Sequence, residues 1–202
     1  VTSLAQRTVL FAAAKGNLMD LAELCMDKGI NVNSKDIEGL SVLHVASEFA
    51  DSEMLELLIQ HGASVQDVSD SGDTMLHQAA HGNKYNNIEL LLQHKLDVNV
   101  TNHNGTTVLH IAAHDADCDV VNLLLNHGTD ISAVDNNNWS VLHYSANGNN
   151  YQTMELLLKH NLNVNTNNNK GNTPLHIAAM HGDIILAMLL LQHGADPHAT
   201  NN

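Results

Sequence analysis

Residues 171–179 read GNTPLHIAA, and the Leu-His pair inside this stretch repeats along the whole chain. The pair recurs every 33 residues without insertion or deletion. Leu10-Phe11 holds the same position 33 residues before the first pair. A constant period of about 20 to 50 residues is typical of a protein built from stacked repeats. Each repeat contacts only its neighbours, so such a chain builds an extended surface and not a closed pocket. The pairs are Leu43-His44, Leu76-His77, Leu109-His110, Leu142-His143 and Leu175-His176.

The composition suits a repeat protein and argues against a membrane protein. Apolar residues make up 44% of the chain but aromatic residues only 3%, so small and aliphatic side chains must fill the interior. The longest apolar run, residues 184–191, has eight residues, whereas a membrane-spanning helix needs roughly 18. We therefore expect no membrane insertion.

The chain is strongly acidic. Eight Lys and Arg against 22 Asp and Glu give a formal net charge of −14. Proteins that bind nucleic acid usually carry a basic face, so we expect no nucleic-acid partner. A charge of this size keeps a protein soluble and favours the approach of basic partners.

The two cysteines indicate a compartment. Cys25 and Cys118 lie three repeats apart, separated by 93 residues, which places them roughly 25–30 Å apart at helix-packing distances. This separation is far beyond the reach of a disulfide. A reducing compartment is consistent with this spacing, and we expect a cytoplasmic protein, with a secreted effector or toxin as the alternative.

One period, residues 36–68, shows how each unit is built. Two short helices are predicted at about 42–49 and 53–60, and Gly62 ends the second helix in the left-handed conformation. Ser41 has the side chain of a helix N-cap, because its hydroxyl accepts from an orphan backbone N–H. The equivalent positions are all hydroxyl residues, namely Thr8, Ser41, Thr74, Thr107, Ser140 and Thr173.

Residues 171–179, together with His193-Gly194-Ala195-Asp196, resemble the ankyrin-repeat signature. The resemblance covers about residues 3–200. It implies an all-α repeat solenoid, in which antiparallel helix pairs stack and β-hairpin or turn fingers project. It also implies non-catalytic protein recognition along the fingers and the inner helix face. A single ankyrin-repeat domain over residues 1–202 would then hold repeats at about 3–35, 36–68, 69–101, 102–134, 135–167 and 168–200.

Several positions depart from the family pattern. Phe11 replaces the histidine of the first repeat, which resembles an N-terminal capping unit. Lys95, Asn138 and Asn161 stand where the family has Gly, and Asn tolerates the left-handed conformation better than Lys does. The last helix is apolar where a C-terminal cap should be polar, so we expect the natural protein to continue beyond residue 202.

Fifteen histidines raise the question of a metal site. The resemblance gives the Leu-His set a structural role, hydrogen-bonding the backbone of the neighbouring turn. Equivalent positions in adjacent repeats lie about 10 Å apart, too far to share one ion. A surface zinc site at His81 and His114, beside Asp115, is the alternative that stays open. The other periodic histidines lie where positive charge favours a helix C-terminus, at His61, His94, His127, His160 and His193.

The Leu-His histidines also predict a pH dependence. If they are buried and neutral, their pKa values lie below the unfolded value of about 6.5. Stability is then present above that value and lost as the pH falls through it.

Catalysis finds little support in the sequence. No Ser, Cys, His or Asp has the spacing of an activated nucleophile, and no glycine motif for phosphate is present. We expect a protein that is not an enzyme and that needs no cofactor or metal.

The positions that the repeat leaves free are the finger tips and the inner ends of the first helices. Trp139, the only Trp, occupies a finger position, and exposed aromatic anchors are often interface hot spots. The alternative is that Trp139 folds onto its neighbouring finger, whereas Tyr144 occupies a mostly aliphatic position and is expected in the core. The predicted partner-binding residues are Leu40, Glu48, Phe49, Asp73, His81, His103, Thr106, His114, Asp115, Trp139, Asn147, Met180 and His181.

The sequence therefore predicts a non-catalytic interaction module, monomeric in isolation, that binds a partner protein through its finger tips and concave inner-helix face. The alternative is a structural spacer or scaffold array within a larger multidomain toxin, channel or effector protein. The identity of the partner does not follow from the residues.

Overall fold

The computed structural model describes residues 4–202, with side chains from Val9 onward. The described residues form twelve α-helices in six consecutive pairs, and no regular β-strand occurs among them. We number the pairs 1 to 6. The helices are α1 Leu4–Lys15, α2 Met19–Asp27, α3 Val42–Phe49, α4 Ser52–Gln60, α5 Met75–His81, α6 Tyr85–Gln93, α7 Val108–Asp115, α8 Cys118–Asn126, α9 Val141–Asn147, α10 Tyr151–Leu158, α11 Pro174–His181 and α12 Ile184–Gln192.

The chain divides into two compact units, Val1–His103 and Asn104–Asn202. In the first unit α3 packs against α1 and α5, and α4 packs against α6. In the second unit α9 packs against α7 and α11, and α10 packs against α8 and α12. Each unit is therefore a stack of three helix pairs, as the sequence period predicts.

The first helix of pairs 2 to 6 begins at the predicted hydroxyl residue. The backbone N–H of this N-cap donates to Nδ1 of the histidine three residues later, at 3.1–3.2 Å in all five pairs. In pairs 2, 4 and 6 the N-cap hydroxyl also accepts from the backbone N–H of that histidine. The predicted cap at Thr8 is wrong, because α1 begins upstream of it at Leu4, and the side chain of Thr8 lies outside the described residues.

Three of these histidines also tie their pair to the next finger, as the resemblance implies. Since Nδ1 accepts, the proton of the neutral ring lies on Nε2, which is free to donate. Nε2 lies 2.9–3.1 Å from the backbone carbonyl oxygen of the residue 29 positions later, as the pairs His44 with Asp73, His110 with Trp139, and His143 with Asn172 show.

Histidines at the ends of the second helices carry their proton on the other ring nitrogen. Nδ1 of His61 lies 2.9 Å from the carbonyl oxygen of Leu57, and His127 makes the same contact with Leu123. A carbonyl oxygen can only accept, so here Nδ1 carries the proton. These histidines therefore satisfy helix C-terminal carbonyls, at the position that the sequence predicts.

The fingers that connect successive pairs are turns. Isolated antiparallel bridges at Lys35 with Ser41 and at Val134 with Ser140 are their β-type pairings in the described chain. Within each unit, a backbone hydrogen bond of 2.9–3.0 Å joins each pair of adjacent fingers. The donors and acceptors are Asp70 and Glu38, His103 and Ser71, Asn136 and Asn104, Asn169 and Asn137, and Asn202 and Lys170.

The core consists of the periodic leucines and the small residues beside them. Each fully buried leucine stabilises the fold by about 1.5–3 kcal/mol relative to an exposed one. The last helix differs, since Ile184 is 73% exposed and Ile185 is 68% exposed. The fully buried core leucines include Leu43, Leu55, Leu58, Leu76, Leu91, Leu109 and Leu124.

The three positions at which another residue replaces the family glycine are all left-handed. The φ angles are 63° at Lys95, 60° at Asn138 and 57° at Asn161. The left-handed conformation costs an L-residue about 1–2 kcal/mol, and Asn less than most. Lys95 is therefore the strained member of this set.

Candidate functional site

One cleft in the second unit brings together residues of α9 and of two fingers. The fifth finger, residues 135–139, precedes α9, and the sixth finger, residues 168–172, precedes α11. The cleft has a volume of about 440 Å³. Two aromatic rings, one carboxylate, one ammonium group and several amides line it. The lining residues are Asp135, Asn137, Trp139, Tyr144, Asn147, Asn168, Asn169 and Lys170.

Asp135 holds the fifth finger in shape. Its Oδ1 accepts from the backbone N–H groups of Asn137 and Trp139, both at 2.8 Å. Its Oδ2 accepts from the Tyr144 hydroxyl at 3.1 Å. A carboxylate that accepts from the backbone two and four residues later stabilises a tight turn. Asp135 is buried and its charge is compensated by these three donors.

Trp139 forms a wall of the cleft and not an exposed anchor. Its ring centroid lies 5.8 Å from that of Tyr144 with an interplanar angle of 76°, and 5.6 Å from that of His143. The first contact is the edge-to-face geometry that aromatic pairs prefer. Trp139 is half-buried and lines the cleft, so its predicted role in binding a partner stays a prediction.

Tyr144 is half-buried and also lines the cleft, so the expectation of a simple core residue is wrong. Its hydroxyl lies 3.2 Å from Oγ1 of Thr106 and bonds to Asp135. Burial raises the pKa of Tyr144 to about 12, and the negative charge of Asp135 acts in the same direction. The hydroxyl therefore stays protonated and acts as a donor to the carboxylate.

Asn168 has a side-chain donor without an acceptor. Its Oδ1 accepts from the backbone N–H groups of Lys170 at 2.9 Å and Asn172 at 3.0 Å, which settles the orientation of the amide. Its Nδ2 makes no hydrogen bond, and the residue is only 4% exposed. An unsatisfied buried donor costs about 1–3 kcal/mol.

Equivalent asparagines explain why this donor is unpaired. Asn102 Nδ2 donates to Oδ1 of Asp73, 29 positions earlier, at 2.8 Å, and Asn201 Nδ2 donates to Oδ1 of Asn172 at 2.8 Å. For Asn168 the residue at the same separation is Trp139. An indole ring has a donor but no acceptor nitrogen or oxygen. The pairing of Asn with Trp at this interval is the sequence signal that would have found the site.

Two further predicted residues meet at the edge of the cleft. Nε2 of His181 lies 3.1 Å from Oδ1 of Asn147, and both residues are exposed. Thr106, by contrast, is buried and faces Tyr144, so the prediction that it contacts a partner directly is wrong. Its finger position simply turns inward.

The other predicted contact residues lie outside the cleft. Phe49 is 40% exposed, with Nζ of Lys15 4.5 Å from its ring centroid. Asp73 is half-buried and accepts from Ser71 and Asn102, so it supports its own finger. Exposed residues are Phe49, His81 and His103 in the first unit and Asp115 and Met180 in the second, whereas Leu40, Glu48 and His114 are half-buried.

The zinc alternative gains no support. Among the residues that the structure describes, no group of three or more His, Cys, Asp or Glu side chains is arranged to hold a metal ion. Nδ1 of His114 is paired with the carboxylate of Asp115. Cys25 and Cys118 are both free thiols. No described helix is both long enough and apolar enough to cross a bilayer.

Burial controls the charge state of three capping histidines. Desolvation lowers the pKa of His44 and His143 below the ordinary value, and it lowers the pKa of His110 to about 4. The backbone hydrogen bonds to Asp73 and Asn172 and the Asp135 carboxylate only partly oppose this effect. The finger that carries Trp139 is therefore held by a neutral imidazole at physiological pH.

Comparison with known proteins identifies a family. A family model described as ankyrin repeats matches three overlapping segments, residues 2–69, 66–135 and 109–201. Together these segments span nearly the whole chain. No curated protein matches the chain.

Proposed function

Because this chain belongs to the ankyrin-repeat family, we propose that it is a non-catalytic recognition module that binds a partner protein through its fingers and the exposed ends of its first helices. Ankyrin repeats are generally protein–protein interaction modules. The proposal goes further, because it assigns the contact surface in this chain.

The observation that carries the proposal is that buried positions of the helix pairs support the fold, whereas exposed positions vary from pair to pair. In pairs 2 to 4 the N-cap hydroxyls, the capping histidines and the leucines before them are buried and serve the fold. Side chains at the ends of the first helices are exposed and differ between pairs, as Met180 shows at 65% exposure. Exposed side chains that a fold does not need are available for recognition.

Affinity capture from an extract of the native cells tests the proposal. The matched control carries Phe49→Ala, Asp115→Ala and Met180→Ala, three exposed positions whose loss should leave the unfolding transition nearly unchanged. We expect the unsubstituted chain to retain a partner that the triple variant releases, with a loss of a few kcal/mol in binding. Equal retention by both proteins would reject this surface.

A further inference from the structure

We propose that the cleft between Trp139 and Asn168 binds an uncharged peptide segment of the partner, with a backbone carbonyl oxygen accepting from Nδ2 of Asn168. This inference rests on the proposed function, since it names the part of the partner that the fifth and sixth fingers take. It assigns one chemical class of ligand to one site.

One unpaired donor of the cleft calls for an acceptor. Asn168 Nδ2 is buried without a partner. A buried donor is satisfied by a ligand oxygen that arrives with no donor of its own to lose. The carbonyl group of a peptide is such an acceptor.

The charges of the cleft favour a neutral ligand. Asp135 and Lys170 both line it, so the lining carries one charge of each sign. A carboxylate side chain would gain Lys170 but approach Asp135 in a chain of net charge −14. An ammonium or guanidinium group would gain Asp135 but approach Lys170, so neither sign of charge has a clear advantage over a neutral group. Like charges brought together in a partly dehydrated site repel each other strongly.

A peptide group also suits the rest of the lining. The carboxylate of Asp135 has about four lone-pair sites, and three donors occupy it, so one site remains for a peptide N–H. The rings of Trp139 and Tyr144 pack edge to face. They offer apolar surface to a side chain of the ligand. Donor, acceptor and apolar surface together match an extended segment with an aliphatic residue.

Trp139 provides a direct readout, because it is the only Trp in the chain. Its fluorescence is titrated with three capped probes, acetyl-Ala-Leu-Ala-amide and the same peptide with Glu or Lys at the centre. We expect a saturable change with the Leu probe at lower concentration than with either charged probe. Tighter binding of the Glu or Lys probe would overturn the assignment to a neutral segment.

Asn168→Asp removes the donor but keeps the turn, because Asp36 and Asp135 hold the equivalent position and accept the same backbone bonds. We expect binding of the Leu probe to weaken about tenfold, the value of one hydrogen bond. The change removes no internal bond of Nδ2, but the carboxylate oxygen that replaces Nδ2 is buried without a donor and lowers the unfolding midpoint by itself. Unweakened binding of the Leu probe by the folded variant would contradict the proposal.

Two more variants sharpen the test. Trp139→Asp offers Asn168 the internal acceptor that Asp73 offers Asn102, and we expect calorimetry to detect no binding of the Leu probe. Asn102→Asp changes the equivalent asparagine outside the cleft, where the amide is already paired. It should lower the unfolding midpoint and leave probe affinity unchanged.

The outcomes separate this inference from the proposed function. If the Asn168→Asp protein captures the native partner as well as the unsubstituted protein does, the cleft assignment fails and the broader function stands. If no partner is captured but the Leu probe binds in an Asn168-dependent manner, the broader function fails and the cleft stands.

Discussion

The turns inside pairs 2 and 3 occupy equivalent positions but have different structures. In pair 2 an eight-residue helix ends at Phe49, and Ala50 follows in an extended conformation. In pair 3 a seven-residue helix ends at His81, followed by Gly82 and by Asn83 with φ of 53°. The second unit repeats the difference, with eight residues in α7 and seven in α9.

The difference shows that pairs 2 and 3 fit together as two halves of one larger structure, which we call a paired unit. A Cβ atom at Gly82 would overlap the backbone carbonyl oxygen of Glu48, at the end of the preceding first helix. Asn87 Nδ2 donates to the carbonyl oxygens of Ser47 and Ala50, both at 3.0 Å. The turn of pair 3 is therefore shaped to receive the helix end of pair 2.

The fourth and fifth pairs have the same arrangement. A Cβ atom at Gly148 would overlap the carbonyl oxygen of His114, and Asn150 Nδ2 donates to that of Ala116 at 2.7 Å. Gly82 and Gly148 lie two sequence periods apart. The helices and their caps therefore recur with every pair, whereas this contact recurs with every second pair.

The strongest challenge to the comparison is Gly82→Ala. The φ of Gly82 is −78°, which suits Ala, so the expected loss of about 3 kcal/mol in unfolding free energy comes from the clash with Glu48 alone. Urea denaturation measures it. Gly16→Ala is the matched control, because this glycine precedes the same kind of turn without a preceding pair in the described chain. Equal losses in both variants would refute the pairing.

Asn87→Met tests the hydrogen bonds of the paired unit. Met54 holds the equivalent position in pair 2, so an apolar side chain is tolerated there. The carbonyl oxygens of Ser47 and Ala50 would lose their donor, and we expect a loss of about 2 kcal/mol by urea denaturation. Asn86→Met, at the exposed neighbouring position, should change stability little. The paired unit loses support if the two variants behave alike.

The pH dependence of stability should not follow the alternation, because His44, His110 and His143, whose pKa values are lowered, lie in both kinds of pair. With a folded pKa of about 4 for His110 and an unfolded pKa of about 6.5, the unfolded state binds more protons between these values. Stability is therefore complete above about pH 6.5 and is lost progressively as the pH falls toward 4.

From pH 7.5 to 5.5 His110 alone should lower the unfolding free energy by about 1.3 kcal/mol. His44 and His143 add in the same direction, because burial lowers their pKa values too. Urea denaturation at the two pH values measures the loss, and His110→Gln should reduce it. A stability that does not change with pH over this range would contradict the neutral buried rings.

The smallest effect is expected at a helix end where pairs 2 and 3 differ only in residue type. Lys95 is left-handed with φ of 63°, and its equivalent in pair 2 is Gly62 with φ of 85°. Lys95→Gly should therefore stabilise the protein by about 1 kcal/mol in a thermal unfolding experiment. Asn138→Gly should gain less, because Asn tolerates this conformation. A destabilised Lys95→Gly protein would show that Lys95 is not strained.

Much of the fold could be predicted from local pattern. Residues equivalent to Ser41 cap the first helix of every pair from the second onward. Histidines equivalent to His44 bond to the next finger in pairs 2, 4 and 5, and leucines equivalent to Leu43 fill the core of pairs 2 to 5. The same reasoning failed at Thr8, where α1 extends upstream of the expected cap. A hydroxyl residue caps a helix only where the chain before it leaves the helical conformation.

The candidate site was less accessible to prediction. Trp139 and Asn147 were identified from their free positions, and both line the cleft. Thr106 and Tyr144 were assigned wrongly, because exposure depends on how a finger turns inward and not on its place in the period. Asn168 was not identified, since its amide differs from the equivalent amides only in the side chain that faces it from the preceding finger.

The sequence by itself determined the helix pairs, their caps and their leucine core, because these depend on contacts within one period or between identical neighbours. Only the tertiary structure decided which donors remain unpaired and which turns fit together. Those outcomes depend on the side chains that differ between neighbours, such as Trp139 against Asn168 and Glu48 against Gly82. A period describes what repeats copy from one another, whereas a binding surface consists of what they do not copy.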